Sequence, residues 1–200
     1  MTAILKVDTI QDTSGNNIIN ESSDTITIGA SGDTIALAGT TVTGITQGIT
    51  MADQWRITAA HSGSGYITAN WERADTDNPG LIGSAMTQSS GLFTFPSTGS
   101  YQVTFVTDCD ADSANVSRIT AQISVSTDGG SSESSAASAA DSAEAGYRAS
   151  TTVTALVNVN NTSNVKIKVG VFGSAENFNA NGNTAYTRTG ITFIRLGDST

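Results

Sequence analysis

The sequence predicts an all-β protein, with a β-rich arm over residues 1–50 followed by a sandwich head over 51–200. Three observations carry this. Short apolar/polar alternations recur at period two and end at glycine or Asn/Asp/Ser clusters, the pattern of half-buried strands and turns. β-branched residues are frequent and there are only two prolines, which favours many short strands over helices. Only 14% of the chain is charged while 38% is hydrophobic, enough apolar material to fill a core within 200 residues.

The elements follow in order. Ile4, Leu5 and Val7 open a strand at about 3–11, and Ser14-Gly15-Asn16-Asn17 turns the chain into another at about 17–20. Asp24-Thr25-Ile26-Thr27-Ile28-Gly29 is echoed by Asp33-Thr34-Ile35-Ala36-Leu37-Ala38, and Val42 continues the apolar series. One copy of this arm has no second layer against which to bury Ile26, Ile28, Ile35, Leu37 and Val42. Burial of each such side chain is worth roughly 1.5–3 kcal/mol. Copies from several chains winding into a shaft are therefore expected, with strand edges paired between neighbours. The other reading of 21–50 is a Ser/Thr/Gly linker with incidental isoleucines.

The head begins near residue 51. Trp55 and Ile57 alternate in a first strand at 53–58, and Tyr66 to Arg73 reads as a second. Leu92, Phe93 and Phe95 precede a Pro-Ser-Thr-Gly corner, after which Tyr101, Val103 and Phe105 fall on one face of a strand. Pro96 cannot donate to a ladder and stops the first run; Gly99 can take the φ that restarts the second. Val116–Ser126 is a strand with Ile119, Ala121, Ile123 and Val125 on one face. From Ser131 to Ala145 the sequence collapses to Ser, Ala, Asp and Glu, which predicts a mobile surface loop, with a short helix or a flat small-residue strand as alternatives. Thr151–Val159 and Val165–Phe172 read as a hairpin across Asn160-Asn161-Thr162-Ser163. An Asn-rich loop at 177–183 leads to a closing strand at about 184–197. Roughly nine or ten strands result, the number found in jelly rolls.

The corner carries more than alternation. Phe93, Thr94, Pro96, Gly99 and Tyr101 stand in the order Phe-Thr-x-Pro-x-x-Gly-x-Tyr, which resembles the signature of trimeric jelly-roll heads typified by the complement q-subunit globular head and tumour necrosis factor. Gly190 and Phe193 match the last strand of that family in part, whereas Ser163-Asn164 replaces the Gly-Asp pair that often precedes its penultimate one. The resemblance implies a jelly roll that works as a homotrimer, usually on a stalk. The first twenty residues resemble the beginnings of fibre and appendage proteins of tailed bacteriophages, particularly marine ones.

The candidate chemistry is sparse. A formal charge of −9 disfavours nucleic acid and anionic membranes as partners. The opening residues lack a signal-peptide pattern, and no run of about 18 apolar residues could span a bilayer. Cys109 is the single cysteine, so no intrachain disulfide is possible, and a buried or semi-buried position is expected for it. His61, the single histidine, lies in a predicted exposed turn with no nucleophile-elbow pattern near any serine. Asp108, Asp110 and Asp112 match the start of a calcium loop, but Ser113 and Ile119 occupy the places of its glycine and closing glutamate. An EF-hand is thereby excluded; the expectation is a solvated acidic loop and no cofactor, with a calcium site formed with other loops or around a trimer axis as the alternative.

These readings converge on a non-enzymatic virion structural protein, assembled in the host cytoplasm and released by lysis. It is expected to be a short homotrimeric fibre that contacts other virion proteins through residues 1–50. Its head would adhere to a host-surface glycan or protein, and the exposed low-complexity and 177–183 loops are its candidate contacts. The alternatives are a capsid decoration or tail adaptor protein without host ligand, a non-viral lectin-like module and a polysaccharide-degrading enzyme.

Overall fold

The computed structural model describes residues 9–11, 13, 17–22, 25–28, 32, 48–76 and 80–199, and every regular element among them is a β-strand. The chain divides into two compact units, Met1–Thr46 and Gln47–Thr200. In the first, β1 (Thr9–Gln11), β2 (Asn17–Ser22) and β3 (Thr25–Ile28) form an antiparallel meander. Ile28 stands opposite Ile19, and Ile26 opposite Glu21. Part of the edge pairing expected between chains is thus made within one chain. Ile35, Leu37 and Val42 lie outside the described residues.

The second unit contains β4 (Ala52–Ile57), β5 (His61–Ser62), β6 (Gly65–Tyr66), β7 (Trp71–Arg73), β8 (Leu81–Ile82), β9 (Thr87–Ser89), β10 (Leu92–Thr94), β11 (Gly99–Ala111), β12 (Val116–Ser126), β13 (Ser134–Ala143), β14 (Arg148–Val159), β15 (Lys166–Gly173), β16 (Phe178–Ala180) and β17 (Gly190–Gly197). They build two antiparallel sheets. Sheet I has the order β13-β12-β15-β10-β9, with β6 also on β15; sheet II has the order β5-β16-β11-β17-β4-β7, with β14 on the other edge of β11 and β8 on β4.

The period-two pattern explains why the sheets face each other. On β11, Tyr101, Val103, Phe105, Thr107, Cys109 and Ala111 are all buried, while the residues between them are not. On β14 and β15 the same alternation buries Val153, Ala155 and Val157 from one side and Ile167, Val169 and Val171 from the other. Between them Phe93 is ringed by Trp55, Trp71 and Phe193 at centroid distances of 5.7, 5.1 and 5.3 Å. One buried polar node accompanies this core. Asp53 accepts from Arg73 Nε at 2.9 Å, Met86 N at 2.8 Å and Trp55 Nε1 at 3.1 Å, so a fully buried carboxylate is saturated.

Three expectations about the strands are corrected. The run from Tyr66 to Arg73 is not one strand: β6 pairs with β15 and β7 with β4, so residues 67–70 cross between sheets. Asn70 takes φ 63° and Trp71 Nε1 donates to the Ile67 carbonyl at 2.8 Å, which closes that crossing.

Residues 134–143 are a strand rather than a mobile loop. Ladder bonds to β12 need only backbone, and Ala137 and Ala139 pack against the core without requiring volume. The turn before β13 is fixed by Asp128, which accepts from Ser126 Oγ, Ser131 N, Ser132 N and Ser132 Oγ. Those bonds, Ser132 foremost, hold its carboxyl far below the usual range.

Thr151–Val159 and Val165–Phe172 do not pair as a hairpin, because β14 lies in sheet II and β15 in sheet I. Asn161 still organises the turn, its carbonyl accepting from Val165 N at 2.9 Å, but the turn arches over the core. β12 also buries a residue on the face opposite Ile119, Ala121 and Ile123. Ser124 is buried there beneath Tyr66, whose hydroxyl donates to it at 3.1 Å. Val125 keeps its phase and packs at the margin of the core.

Candidate functional site

The corner motif is built into the core. Phe93, Tyr101 and Phe193 are fully buried, and Phe95 packs on Tyr101 with centroids 4.6 Å apart. The Tyr101 hydroxyl donates to the Ser97 carbonyl at 2.9 Å, pinning the turn that Pro96 opens. Gly99 has φ 151°, and a Cβ there would meet Arg195 Nε at 2.6 Å and the Gly197 carbonyl oxygen at 2.7 Å. A Cβ on Gly190 would meet the Trp55 carbonyl oxygen at 2.5 Å, since β17 and β4 are in direct register there. Thr94 accepts from Lys166 Nζ at 2.9 Å, tying β10 to β15.

What remains for binding is the surface. The outward face of sheet II splits into two regions along its strands. In register across β14, β11, β17, β4 and β8 stand Leu156, Gln102, Ile194, Ala52 and Ile82. The next matched row is Thr154, Thr104, Thr192 and Gln54, with Thr104 and Thr154 hydroxyls 3.0 Å apart. Neither row contains a charge. Leu156 is 76% exposed and Ile82 48%.

The far end of the same face is charged. Asp108 on β11 accepts from Arg188 Nε at 2.7 Å, and Arg148 Nη1 on β14 approaches the same carboxylate oxygen at 3.7 Å. The Asp108 carboxylate holds the Arg188 guanidinium above its already high range. Asp108, Arg148, Ser150, Tyr186 and Arg188 line an open cleft of about 480 Å³. On the other flank of Arg148, Asn115, Glu144 and Tyr147 line a second cleft of about 490 Å³. Tyr147 is 67% exposed and Tyr186 60%. Sequence reading missed these four residues, because 148 and 188 are forty positions apart. The available signal was that each tyrosine is followed by an arginine, Tyr147-Arg148 and Tyr186-Thr187-Arg188, in otherwise small polar surroundings.

Asp108, Asp110 and Asp112 do not curl around a common point. Asp108 and Asp110 lie on an extended strand, where same-face neighbours are about 6.6 Å apart. Asp112 accepts from Asn179 Nδ2 at 2.8 Å. Among the described residues no group of three His, Cys, Asp or Glu is placed to hold a metal ion. The 177–183 loop is largely pinned, since it contains β16 with Phe178 and Ala180 buried. His61 is not an exposed turn residue. It pairs with Ala180, its Nε2 is buried without a hydrogen-bond partner among the described residues, and burial lowers its pKa.

Cys109 is fully buried, and its thiol is pushed up to about 12, mainly by burial and further by Asp108 and Asp110. We expect no reaction with an aromatic disulfide reagent at pH 8 in native protein and one equivalent of reaction in guanidinium. Rapid labelling of the native chain would contradict this placement.

No protein-family model and no curated protein matches the chain. Among solved structures, murine APRIL at pH 5.0 superimposes with a TM-score of 0.53 at 12% identity, covering 73% of this chain and 98% of that one. Eiger TNF from S. frugiperda superimposes with a TM-score of 0.56 at 14% identity, covering 76% and 96%. At these identities the likeness is one of fold. The two antiparallel sheets form a tumour necrosis factor-like jelly roll.

Proposed function

We propose that this chain is a homotrimeric virion fibre or appendage protein whose jelly-roll head adheres to a host surface, with residues 1–50 serving attachment to the particle. The observation that carries the assembly is the uncharged region of sheet II. Copies that each carry −9 repel one another wherever charged faces meet, so self-association is favoured at Leu156, Gln102, Ile194, Thr104 and Thr154. Exposed apolar side chains such as Leu156 and Ile82, set in an uncharged row, are also a surface that proteins cover. Threefold rather than twofold assembly rests on the Phe93–Tyr101 motif, and the phage assignment on the resemblance of the first twenty residues.

Adhesion is supported by the arrangement of the head. Met51 bonds to Arg195, placing the incoming chain at the level of Tyr101, whereas the tyrosine-lined clefts lie at Asp108 and beyond. Seven residues of strand separate these levels, about 23 Å. The clefts therefore sit at the end of the head remote from Met51. Weak single contacts there would gain avidity from three copies.

Native mass of the intact chain tests the assembly. Wild type is expected as a trimer and Leu156→Glu as a monomer with an unchanged melting profile at matched subunit concentration below assembly, since Leu156 projects outward. A wild-type monomer at micromolar concentration would remove the fibre-head reading.

A further inference from the structure

We propose that the cleft between Arg148 and Arg188 binds the carboxylate of an acidic sugar, with Tyr186 carrying the sugar ring. The inference deepens the adhesion reading above and rests on it.

The arginines of this cleft carry unused donors. Arg188 is held by its Nε bond to Asp108, yet its Nη2 is buried and has no hydrogen-bond partner among the described residues. Leaving such a donor dry is unfavourable, so it calls for an acceptor. Arg148 is 63% exposed, and its contact with Asp108, at 3.7 Å, is an ion pair too long for a hydrogen bond. Two guanidiniums thus share one carboxylate oxygen. A second carboxylate would accept from both in the planar fork geometry that arginine favours.

Other charges near the cleft are Asp110, which stands opposite Arg148 in the ladder, and Glu144, beyond Arg148. Neither occupies a free N–H group of the arginines, but with Asp108 they set three carboxylates against two guanidiniums. A bare anion therefore gains nothing there from net charge, only from directed N–H groups. A sugar ring adds what the cleft also offers. Tyr186 is exposed at its wall, and an aromatic face is a platform for the apolar C–H face of a pyranose. Ser150 and Thr187 supply hydroxyls for ring substituents. On the other flank of Arg148, Tyr147 repeats the platform, which suits a chain of sugars rather than a single residue.

The test uses the full-length protein and calorimetric titration with oligogalacturonate, oligoalginate and oligosialic acid, against neutral dextran and mannan oligomers and against sodium sulfate. At least one acidic oligomer is expected to bind, with affinity falling as salt rises. Arg148→Ala and Tyr186→Ala should each weaken it roughly tenfold or more, the size expected for a charged hydrogen bond or a ring contact. Both side chains are exposed, and an unchanged melting temperature would confirm folded variants.

Binding of neutral oligomers with equal strength, displacement by sulfate alone, indifference to both substitutions, or no acidic oligomer bound would each overturn the proposal. Native mass separates the two levels. A trimer that binds no acidic sugar keeps the fibre-head reading and loses this ligand, whereas a monomer loses the head reading whatever it binds.

Discussion

Phe93→Ala is expected to cost the head about 4 kcal/mol, the largest single loss from the core. Phe93 is fully buried on β10 and contacts rings from three other segments, Trp55 on β4, Trp71 on β7 and Phe193 on β17. It is therefore where sheet I meets sheet II. Truncation removes the ring's burial and leaves a void walled by three aromatics that belong to separate strands and cannot all close in. For a domain of this size each kcal/mol lowers the melting temperature by roughly 2–4 °C, so a fall of roughly 8–16 °C is expected. Phe93→Leu, which keeps most of the volume, should lose less than half of that. Thermal melts at matched subunit concentration check this, because any assembly makes the midpoint concentration-dependent. A shift below about 2 °C for the alanine variant would show that the ring is not the junction described here.

The second large effect concerns Asp53. Replacing it with alanine strands three donors at once: Trp55 Nε1, the buried Met86 N–H and the Arg73 guanidinium. Removing one partner of a buried pair costs about 3–5 kcal/mol. Arg73 retains 31% exposure and can turn towards water, which places the expected loss near the lower figure. Asp53→Asn keeps the shape and one acceptor oxygen, and should recover part of the loss. Urea unfolding read by tryptophan fluorescence is a suitable measurement, since Trp55 itself reports on the node. Equal stability of wild type and Asp53→Ala would mean that Met86 N–H and Trp55 Nε1 find other acceptors.

The two core substitutions and the surface substitution Leu156→Glu act on different links of the chain of causes. The first two lower the stability of the subunit. The third leaves the subunit alone and removes its association, because a carboxylate would be set on the most exposed apolar side chain of an uncharged row. Measured together, they separate loss of assembly from loss of fold.

By itself the sequence determined the all-β class, strands near 53–58, 101–107, 116–126 and 165–172, the burial of Cys109 and the corner from Phe93 to Tyr101. These follow from local rules. Alternation at period two records which side chains must leave water, and Pro96 and Gly99 restrict the backbone wherever they stand. Tertiary structure alone decided which sheet each strand joins. β14 and β15 carry the same alternation on either side of an Asn-rich turn, so nothing local distinguishes a hairpin from an arch; the choice depends on which sheet has a free edge, β11 for one and β12 with β10 for the other. The Ser/Ala run at 134–143 becomes a strand only because β12 offers it a ladder and the core margin accepts small side chains. The candidate site belongs to this second class. Arg148 and Arg188 acquire a common carboxylate, and Tyr186 joins their cleft, when β14 and the segment before β17 close on opposite edges of β11, a pairing enforced by packing between residues distant in sequence.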